Sequence, residues 1–262
     1  MGEMRKIEKS PVISVVMPAY NMERFVEQAI RSVIAQTFSD WELIVVDDCS
    51  NDGTWAILER LAAEDGRILT VRNEANVGAA MTRNRAFDLC RGSYVALLDS
   101  DDIWYPEKLE RQMELARKTD ADIIYCSYGI VDQNGEKICD DFIVPETVSF
   151  EAFLTRAVIS CSTALLKRGI IETYRFGTKY YHEDLVFWCQ ILRDGHTARG
   201  VSDVLAEYRV IEGSRASNKG KSAMFRWQVY RELLGFSTVK SVKLMCQYAF
   251  LGFKKYRKAS RG

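Results

Sequence analysis

The segment at residues 94–104, YVALLDSDDIW, constrains the fold most, because an uninterrupted apolar run ends abruptly in three carboxylates. Val95, Ala96, Leu97 and Leu98 are consecutively apolar. A strand without polar alternation is expected where helices cover both faces of a parallel sheet. The sequence therefore predicts a buried parallel strand with an acidic turn at its carboxyl end.

Asp99, Asp101 and Asp102 form that acidic turn. Crowded carboxylates repel one another, and a hard divalent cation with oxygen ligands relieves the repulsion and can hold a diphosphate. The alternative is that the acidity caps a helix beginning near Pro106, because Asp and Pro both suit helix starts. One Asp suffices for a cap, so three favour a cation site.

Strand-like and helix-like segments alternate from residue 12 to residue 128. The strand-like segments are VISVVM, ELIVVD, ILTVRN, YVALLD and DIIYCSY, with a helical pattern after each of the first four. This alternation predicts an α/β fold with a Rossmann-like, mostly parallel, doubly wound sheet. Beyond a hairpin turn at Asn134-Gly135 we expect a short helix at 150–156, a strand in STALLK, a helix from Glu183, a strand at 204–210 and two basic helices.

Cysteine usage and the N-terminus bear on the compartment. The seven cysteines include no C-x-x-C pair, which argues against a disulfide framework or a zinc site. The N-terminal residues are charged and lead directly into a strand-like run, unlike a signal peptide, and no apolar stretch is long enough to span a bilayer. We expect a cytoplasmic protein, either soluble or peripheral at the inner face of the plasma membrane.

Charge is balanced overall, with 36 basic and 36 acidic residues, but it is unevenly distributed. Residues 214–262 contain twelve Lys or Arg and a single acidic residue, Glu232. Such a tail needs an anionic partner, which is either the acidic body or an anionic membrane surface, and the two interpretations have equal weight. Nucleic acid is disfavoured because no recognition motif accompanies the charge. The predicted apolar side of the last helix consists of Val242, Met245, Ala249, Leu251, Phe253 and Tyr256, and Lys240, Lys243, Lys254, Lys255, Arg257 and Lys258 flank it.

Ligands of open α/β sheets bind beyond the carboxyl ends of the strands, here residues 18–21, 47–53, 73–83 and 99–102. No glycine-rich G-x-G-x-x-G turn follows the first strand, so dinucleotide binding of the usual kind is not expected. The second strand-like segment ends in two adjacent Asp residues, Asp47 and Asp48. Their side chains point to opposite sides of an extended backbone, so one can brace the loop while the other faces a ligand.

The ordered set PAYN, VVDDCSNDGT, N-x-G followed by Arg83-Asn84, and LLDSDD resembles the inverting family 2 glycosyltransferases of GT-A fold, over roughly residues 12–210. The resemblance implies a GT-A domain at 1–213 with a C-terminal helical basic extension at 214–262. Within the domain, residues 12–128 would be the nucleotide-sugar-binding half and 129–213 the acceptor and base half.

The resemblance also implies site residues. Asp48 maps to the residue that hydrogen-bonds the base, Tyr20 to the residue stacked near it, and Arg83 to a basic residue between base and phosphate. Tyr20 could instead be rim packing, and Arg83 could pair with surface carboxylates. The implied donor-binding set is Pro18, Ala19, Tyr20, Asn21, Asp48, Asn76, Arg83, Asp99 and Ser100, and the implied ligands of Mn²⁺ or Mg²⁺ are Asp101, Asp99 and Asp102.

Tyr181-His182-Glu183-Asp184 resembles the segment that supplies the family's base. Asp184 would be the base and Glu183 would orient the acceptor, although both could equally cap a helix. His182 ranks second as a base. Many relatives carry a histidine after the last core strand, which this chain lacks. That leaves the third protein ligand of the metal open, with Arg209, Ser214 and Arg215 as candidate phosphate contacts.

The function implied is metal-dependent, inverting transfer of a hexosyl or N-acetylhexosaminyl group from a nucleotide diphosphate sugar, with uridine diphosphate favoured. The acceptor would be a hydroxyl of a glycan or lipid-linked molecule in bacterial surface polysaccharide synthesis. Two alternatives stand beside it. One is a non-catalytic sugar-nucleotide-binding module. The other is a metal-dependent phosphatase, whose nucleophilic Asp would be expected after the first strand, where this chain reads PAYN.

Overall fold

The computed structural model describes residues 10–180, 182–211 and 219–259. Within these residues, eight strands form one sheet in the order β3-β2-β1-β4-β7-β6-β8-β5. The strands are β1 (Ile13–Ala19), β2 (Trp41–Asp47), β3 (Ile68–Arg72), β4 (Tyr94–Leu97), β5 (Ile103–Trp104), β6 (Ile123–Asp132), β7 (Leu165–Lys167) and β8 (Ala198–Val210). The α-helices of the described part are α1 (Val26–Ile34), α2 (Thr54–Glu64), α3 (Ala79–Leu89), α4 (Lys108–Thr119), α5 (Phe150–Arg156), α6 (Arg168–Thr173), α7 (Glu183–Arg193), α8 (Lys219–Gln228) and α9 (Thr238–Ala259).

The first four predicted strands of the parallel sheet are confirmed. β1 pairs in parallel with β2 and β4, and β2 pairs in parallel with β3. Two strands depart from the parallel arrangement: β7 lies antiparallel between β4 and β6, and β5 pairs antiparallel with β8 at the end of the sheet. Because β6 and β8 run parallel to each other, the carboxyl ends of β1, β2, β3, β4, β6 and β8 meet the start of β7 at one edge of the sheet.

The consecutively apolar strands are buried on both faces, as expected from their sequence. Ile13, Val15 and Met17 pack on one face of the sheet against α1, α2 and α4, and Val16 packs on the other face against α3, α5 and α7. Leu97 and Leu98 are fully buried. The edge that follows β4 therefore stands on a scaffold held by two hydrophobic layers.

Some local predictions were wrong. The pattern after the first strand predicts a helix from about Met22 with Asn21 as its N-cap, whereas α1 begins at Val26 and Asn21 does not cap it. Instead, Asn21 adopts a positive φ of 52° and its side chain accepts a hydrogen bond from the Asn51 nitrogen at 2.9 Å. STALLK is only partly a strand, because residues Cys161–Thr163 form a 3-10 turn before β7.

The predicted extension packs against the domain. A π-helical segment (Val229–Leu233) follows α8, and its Val229 and Tyr230 belong to the main core with exposures of 1% and 0%. α9 then continues along α5. No helix in the described residues combines the length and apolar character needed to cross a membrane.

Candidate active site

The acidic turn after β4 lies at the shared strand edge. The chain leaves the sheet at Leu98, turns through residues 99–102 with the Asp102 nitrogen donating to the Asp99 carbonyl at 3.2 Å, and re-enters the sheet as β5. Ser100 is buried, whereas Asp99 and Asp101 are half-buried. The turn thus presents two of its three carboxylates toward the rim.

Arg83 pairs with this turn from α3. Its Nη2 donates to Asp99 Oδ1 at 2.7 Å, and the Arg83 side chain is only 5% exposed. The alternative interpretation of Arg83 as a residue paired on an exposed surface is therefore wrong. Burial alone would lower the pKa of Arg83, but the negative charges of Asp99 and Glu183 outweigh it, so the pKa is raised and the guanidinium stays charged.

Two further donors of Arg83 distinguish it from a purely structural arginine. Its Nε and Nη1 are buried and have no hydrogen-bond partner among the residues that the structure describes. Buried N–H groups are nearly always satisfied in folded proteins, and an unsatisfied one calls for an explanation such as a ligand or water. A guanidinium fork with free donors matches the oxygens of a phosphate group.

The two remaining carboxyl groups of the turn, those of Asp101 and Asp102, have raised pKa values. Burial, together with the charge of Asp99, raises the pKa of Asp101 to about 6. Burial and the charges of Asp101 and Asp99 likewise raise the pKa of Asp102 well above its ordinary value. Over the described part of the chain, no three Asp, Glu, His or Cys side chains converge as a ready-made metal site.

Asp102 is held by the protein on both of its oxygens. Its Oδ1 accepts from the Arg209 backbone nitrogen at 2.8 Å, and its Oδ2 accepts from the Ser162 hydroxyl in a short hydrogen bond. The same Ser162 oxygen accepts from the Asp99 nitrogen at 3.0 Å. Asp102 therefore braces the turn, in contrast to the expectation that it is a free third ligand, because both of its oxygens face inward.

Arg209 lies at the end of β8, where the sequence suggested a phosphate contact. Its Nε donates to the Asp101 carbonyl at 2.8 Å, and its Nη1 donates to the Asp132 carbonyl at 3.3 Å. The side chain is 5% exposed and the guanidinium lies over the Phe25 ring. Arg209 is thus engaged by the backbone of the turn, and the other candidates, Ser214 and Arg215, lie outside the described residues.

The loop after β1 supplies one wall of the edge. Pro18 and Ala19 are the last residues of β1, and the Ala19 carbonyl accepts from the Asp48 nitrogen at 2.8 Å. Tyr20 is 41% exposed at the rim. Asn21 fixes the neighbouring loop, because its nitrogen donates to Ser50 Oγ at 2.9 Å.

The two Asp residues at the carboxyl end of β2, Asp47 within the strand and Asp48 after it, are both buried and contact different loops. Asp47 pairs with Arg72 at 3.1 Å. Asp48 Oδ1 accepts from Asn73 Nδ2 at 2.7 Å and from the Val77 nitrogen at 2.9 Å, and its Oδ2 accepts from the Gly78 nitrogen at 2.8 Å. Burial alone would raise the pKa of Asp48, but these hydrogen bonds outweigh it and hold the pKa below its ordinary value. Asp48 therefore fixes the loop that leads into α3, and its contact with a base stays a prediction.

Asn76 belongs to the same loop and is exposed. Its Nδ2 donates to the Asp48 carbonyl at 3.4 Å. The predicted donor-binding residues of the first three strand ends thus form one interlocked rim, and Tyr20, Asn21 and Asn76 are its exposed members.

Glu183 and Asp184 begin α7, as predicted, and both are half-buried. Asp184 Oδ1 accepts from the Leu185 nitrogen at 2.7 Å. His182 precedes the helix without capping it through its side chain, and Tyr181 lies outside the described residues. The structure thus places the predicted base at a helix start, where backbone dipoles favour its negative charge.

A buried cysteine shows that the two predicted halves meet. Burial raises the pKa of Cys161 well above its ordinary value; Arg83 opposes this rise, and the charges of Asp99, Asp184 and Glu183 add to it. All four charged groups therefore lie close to one thiol that is 4% exposed. The charges of the acidic turn and of the start of α7 therefore act on the same thiol.

Sequence reasoning missed Ser162, Cys161 and Phe176. The Phe176 ring lies under the Arg83 guanidinium, 4.7 Å from ring centroid to Cζ, and stacks on Phe187 of α7 at 4.2 Å. The strand predicted from STALLK obscured Ser162, and Cys161 directly precedes that segment. The 3-10 turn that carries both residues has no strong local sequence pattern. Phe176 lies in a connecting segment, where an isolated aromatic residue gives no periodic signal.

A family model described as Glycosyl transferase family 2 matches residues 14–175. The chain is 39% identical over 249 residues to TuaG of Bacillus subtilis (strain 168), a protein named for a glycosyltransferase role in teichuronic acid biosynthesis, covering 94% of this chain and 97% of the relative. It is 33% identical over 248 residues to WfgD of Escherichia coli, named UDP-Glc:alpha-D-GlcNAc-diphosphoundecaprenol beta-1,3-glucosyltransferase, covering 94% and 95%.

Two solved structures share the fold. S. aureus TarS 1–349 in complex with UDP-GlcNAc superposes with a TM-score of 0.73 at 21% identity, covering 90% of this chain and 71% of TarS. The mannosyltransferase PcManGT of Pyrobaculum calidifontis, in complex with GDP-Man and Mn²⁺, superposes with a TM-score of 0.69 at 19% identity, covering 93% and 70%.

Proposed function

The chain belongs to glycosyl transferase family 2 and is a glycosyltransferase of GT-A fold, and we propose that it uses a uridine diphosphate sugar as donor and a lipid-linked glycan hydroxyl as acceptor. The observation that carries this proposal is Arg83, a buried arginine beside the acidic turn with two donors that no described residue satisfies. An anionic diphosphate at the strand edge would satisfy both donors.

The donor is proposed to lie along the strand ends with its base toward Tyr20 and its diphosphate between Arg83 and the acidic turn. Tyr20 has the exposure needed to pack on a base. The choice of uridine is supported by relatives: WfgD is named for UDP-Glc, and TarS was solved with UDP-GlcNAc. Pro18, Ala19, Asn21, Asp48 and Asn76 shape the rim around this position.

The proposed residues for a divalent cation, Mn²⁺ or Mg²⁺, are Asp99 and Asp101. The fit rests on their chemistry, because burial and the neighbouring charge of Asp99 raise the pKa of Asp101, and an oxygen-preferring cation would offset both effects. Asp102, with both oxygens engaged, holds the turn in place. When bound, the cation would stabilise the negative charge of the departing diphosphate.

Asp184 is proposed as the base. Its carboxylate would accept the proton of the acceptor hydroxyl as that oxygen bonds to the anomeric carbon and the bond from the anomeric carbon to the diphosphate breaks, with inversion of configuration. Glu183 is proposed to orient the acceptor. Arg83 stabilises negative charge that develops on the leaving group.

The lipid-linked acceptor is proposed from the relatives. WfgD is named for an acceptor on diphosphoundecaprenol, and TuaG for teichuronic acid biosynthesis. We infer a role in bacterial surface polysaccharide synthesis, in which the sugar acceptor is presented at the cytoplasmic face of the membrane.

Nucleotide binding provides the first test. We would titrate UDP and a panel of nucleotide sugars, with and without Mn²⁺, into wild type, Asp101→Asn and Arg83→Lys. We expect selection of one uridine donor that depends on Mn²⁺, with at least tenfold weaker binding in both variants. Arg91→Lys is the matched control, because Arg91 pairs with Glu42 at the opposite edge of the sheet. If no donor binds, or if binding survives both substitutions, the donor site is elsewhere.

Asp184→Asn tests the base. The amide has nearly the shape of the carboxylate but cannot take up the proton, so we expect transfer to fall by a factor on the order of 10²–10⁴. UDP affinity should stay within twofold of wild type. Loss of UDP binding together with activity would instead make Asp184 a donor-site or structural residue.

Membrane contact is proposed through the outer side of α9. Its exposed apolar residues, Val239, Val242 and Phe250, are 81%, 47% and 69% exposed, and Lys240 and Lys243 are exposed beside them. Met245, predicted on the same side, packs instead at the edge of the core with Leu244. Leu251, Phe253 and Tyr256 of the predicted stripe fall outside the residues whose side chains are described.

Vesicle co-sedimentation tests this contact. We expect wild type to bind vesicles of anionic phospholipid, and Val242→Ser/Phe250→Ser to bind several-fold more weakly. Leu69→Ser, which changes an exposed apolar residue of β3, should bind as wild type does. Equal binding by all three proteins would remove α9 as the contact. Substitution is preferable to deletion, because the preceding segment contributes Tyr230 to the core.

A further inference from the structure

Asn84 follows Arg83 on α3, but its side chain contacts a distant segment. Its Nδ2 donates to the Phe176 carbonyl at 2.8 Å, and its Oδ1 accepts from the Phe176 nitrogen at 2.9 Å. The amide thus pairs with both backbone groups of one residue, as a neighbouring strand would. This two-way pair fixes the position and the orientation of the Phe176 backbone.

Phe176 is in turn packed between the two halves of the site. The Arg83 guanidinium lies over its ring at 4.7 Å, Phe87 of α3 is 5.8 Å away, and Phe187 of α7 stacks on it at 4.2 Å with an interplanar angle of 12°. Phe187 is one helical turn after Glu183. The backbone pair and the ring contacts therefore connect α3, which carries Arg83, to the first turn of α7.

The geometry points to Asn84 as a positioning residue that sets where the start of α7 stands relative to Arg83. This inference rests on the proposed function, in which Arg83 holds the donor diphosphate and Asp184 is the base. The Phe176 ring stacks on Phe187, one turn into α7, so the anchored Phe176 backbone holds the first turn of α7 through this contact. Asn84 itself touches neither the donor nor the acceptor.

The chemical consequence concerns the distance between two reacting groups. Transfer requires the hydroxyl held at Asp184 to lie in line with the anomeric carbon of the donor, and a displacement of about 1 Å costs on the order of 10²-fold in rate. Donor binding depends on the strand edge and on Arg83, which stay in place when the Asn84 amide is removed. Loss of the pair should therefore lower kcat without weakening donor binding.

A matched control joins the same two segments. Asp88, also on α3, forms an ion pair with Arg175 at 2.9 Å, next to Phe176, and these side chains are 65% and 41% exposed. Exposed ion pairs contribute little to stability. Asp88→Ala therefore removes a contact between α3 and this segment without releasing the Phe176 backbone.

The experiment compares wild type, Asn84→Ala and Asp88→Ala by kcat of sugar transfer, by UDP affinity and by hydrogen exchange of the peptide covering residues 174–188. For Asn84→Ala we expect kcat to fall about 10- to 100-fold, UDP affinity to stay within about twofold, and the peptide to exchange faster. Asp88→Ala should match wild type in all three measurements.

The inference would be overturned if kcat and exchange of Asn84→Ala were equal to those of wild type. Equal losses of kcat and UDP affinity would overturn it too, because they would place Asn84 in the donor site. An equal loss of active protein in all measurements, with a lower Tm, would also overturn it, because a merely structural role produces that pattern. If wild type transfers no sugar, the proposed function fails. Faster hydrogen exchange of residues 174–188 in Asn84→Ala than in wild type would then still show that Asn84 holds this segment in place.

Discussion

The turn at residues 99–102 divides three neighbouring carboxylates among three environments. Asp99 pairs with Arg83, Asp101 is half-buried with a raised pKa, and Asp102 is buried and hydrogen-bonded on both oxygens. Burial with repulsion costs free energy, whereas hydrogen bonding returns part of it. The residues of one short motif therefore differ in what each contributes to function and to stability.

Asp101→Asn should stabilise the metal-free protein at neutral pH. The folded-state pKa of Asp101, about 6, lies above its ordinary value of 3.8, so the folded state binds the proton more tightly. The resulting stabilisation is complete below pH about 4 and is lost as the pH rises through about 6. The free energy of unfolding of the variant should exceed that of wild type by up to about 3 kcal/mol above pH 6, and the two values should be equal near pH 4.

Urea unfolding from pH 4 to pH 7.5 in the presence of a chelator measures this difference, and addition of Mn²⁺ provides the complementary measurement. Saturating Mn²⁺ should stabilise wild type, by about 2.7 kcal/mol at a hundredfold excess over Kd, and should stabilise the variant much less. Parallel stability curves for the two proteins across this pH range would contradict the raised pKa that burial and the charge of Asp99 give Asp101.

Ser162→Ala should weaken both the turn and its affinity for Mn²⁺. The substitution removes the hydroxyl that joins the Asp99 nitrogen to the Asp102 carboxylate and leaves a buried charged group with one donor fewer, at a cost of about 1–3 kcal/mol. We expect severalfold weaker Mn²⁺ binding in calorimetric titration. Thr163→Val is the control, because that hydroxyl contacts only Ser160 of the same turn, donating to its carbonyl and accepting from its nitrogen, and touches neither Asp99 nor Asp102. Unchanged Mn²⁺ affinity in Ser162→Ala would show that the turn holds its shape without this bond.

At the scale of elements, the site depends on how closely strands approach one another. Gly92 precedes β4, and a Cβ there would lie 2.5 Å from the Ser14 nitrogen and 2.8 Å from the Ile13 carbonyl carbon of β1. The contacts are with backbone atoms, which cannot move aside as a flexible side chain can. The position of β4, and with it the acidic turn, thus requires glycine at this position.

Gly92→Ala should therefore lower the free energy of unfolding by about 1–3 kcal/mol or more. Gly66→Ala is the matched control, since a Cβ at Gly66 meets no atom within 4 Å. Because that glycine needs no special φ, its replacement should be neutral or should stabilise by about 0.4–1 kcal/mol. Urea midpoints of the two variants measure the contrast, and equal midpoints would show that β1 and β4 can separate without cost.

At the scale of the whole molecule, one buried arginine links the C-terminal helices to each other and, beside the apolar contacts of Val229 and Tyr230, to the domain. Arg226 of α8 is 7% exposed, donates to the Leu154 carbonyl of α5 at 2.8 Å, and lies 4.0 Å from the Tyr248 ring of α9. It therefore connects three helices. The strongly basic C-terminal segment is thus attached to the body on one side, while the outer side of α9 stays exposed.

Arg226→Ala should release α9 without unfolding the sheet. A cation–π contact that excludes water contributes about 0.5–2 kcal/mol, and the lost hydrogen bond adds to it. We expect about tenfold faster hydrogen exchange in residues 238–250 and unchanged exchange in β1 and β2. Lys243→Ala, an exposed change on α9, should leave both unchanged. Equal acceleration in the sheet strands would mean that α9 and the sheet unfold as one unit.

The sequence by itself determined the alternation of strands and helices and the order of the polar strand ends. The consecutive apolar residues of β1, β2 and β4 determine burial on both faces, because such a run leaves no side for water. The position of Asp99 at the ligand-binding edge could be predicted from order alone, since parallel strands bring their carboxyl ends to one edge whatever the loops between them. Asp184 lies at a helix start instead, and its role stays a prediction from the family resemblance.

Only the tertiary structure decided what each polar side chain contacts. Ser162 reaches Asp99 across 63 residues and Arg209 reaches Asp102 across 107, through the antiparallel insertion of β7 and the return of β8. The periodicity of a sequence predicts which face of its own helix or strand a residue occupies. It does not predict which distant backbone group will contact that residue in the folded chain. For this reason the bracing by Asp102, the loop contacts of Asp48 and the pairing of Asn84 with Phe176 became apparent only in the folded chain.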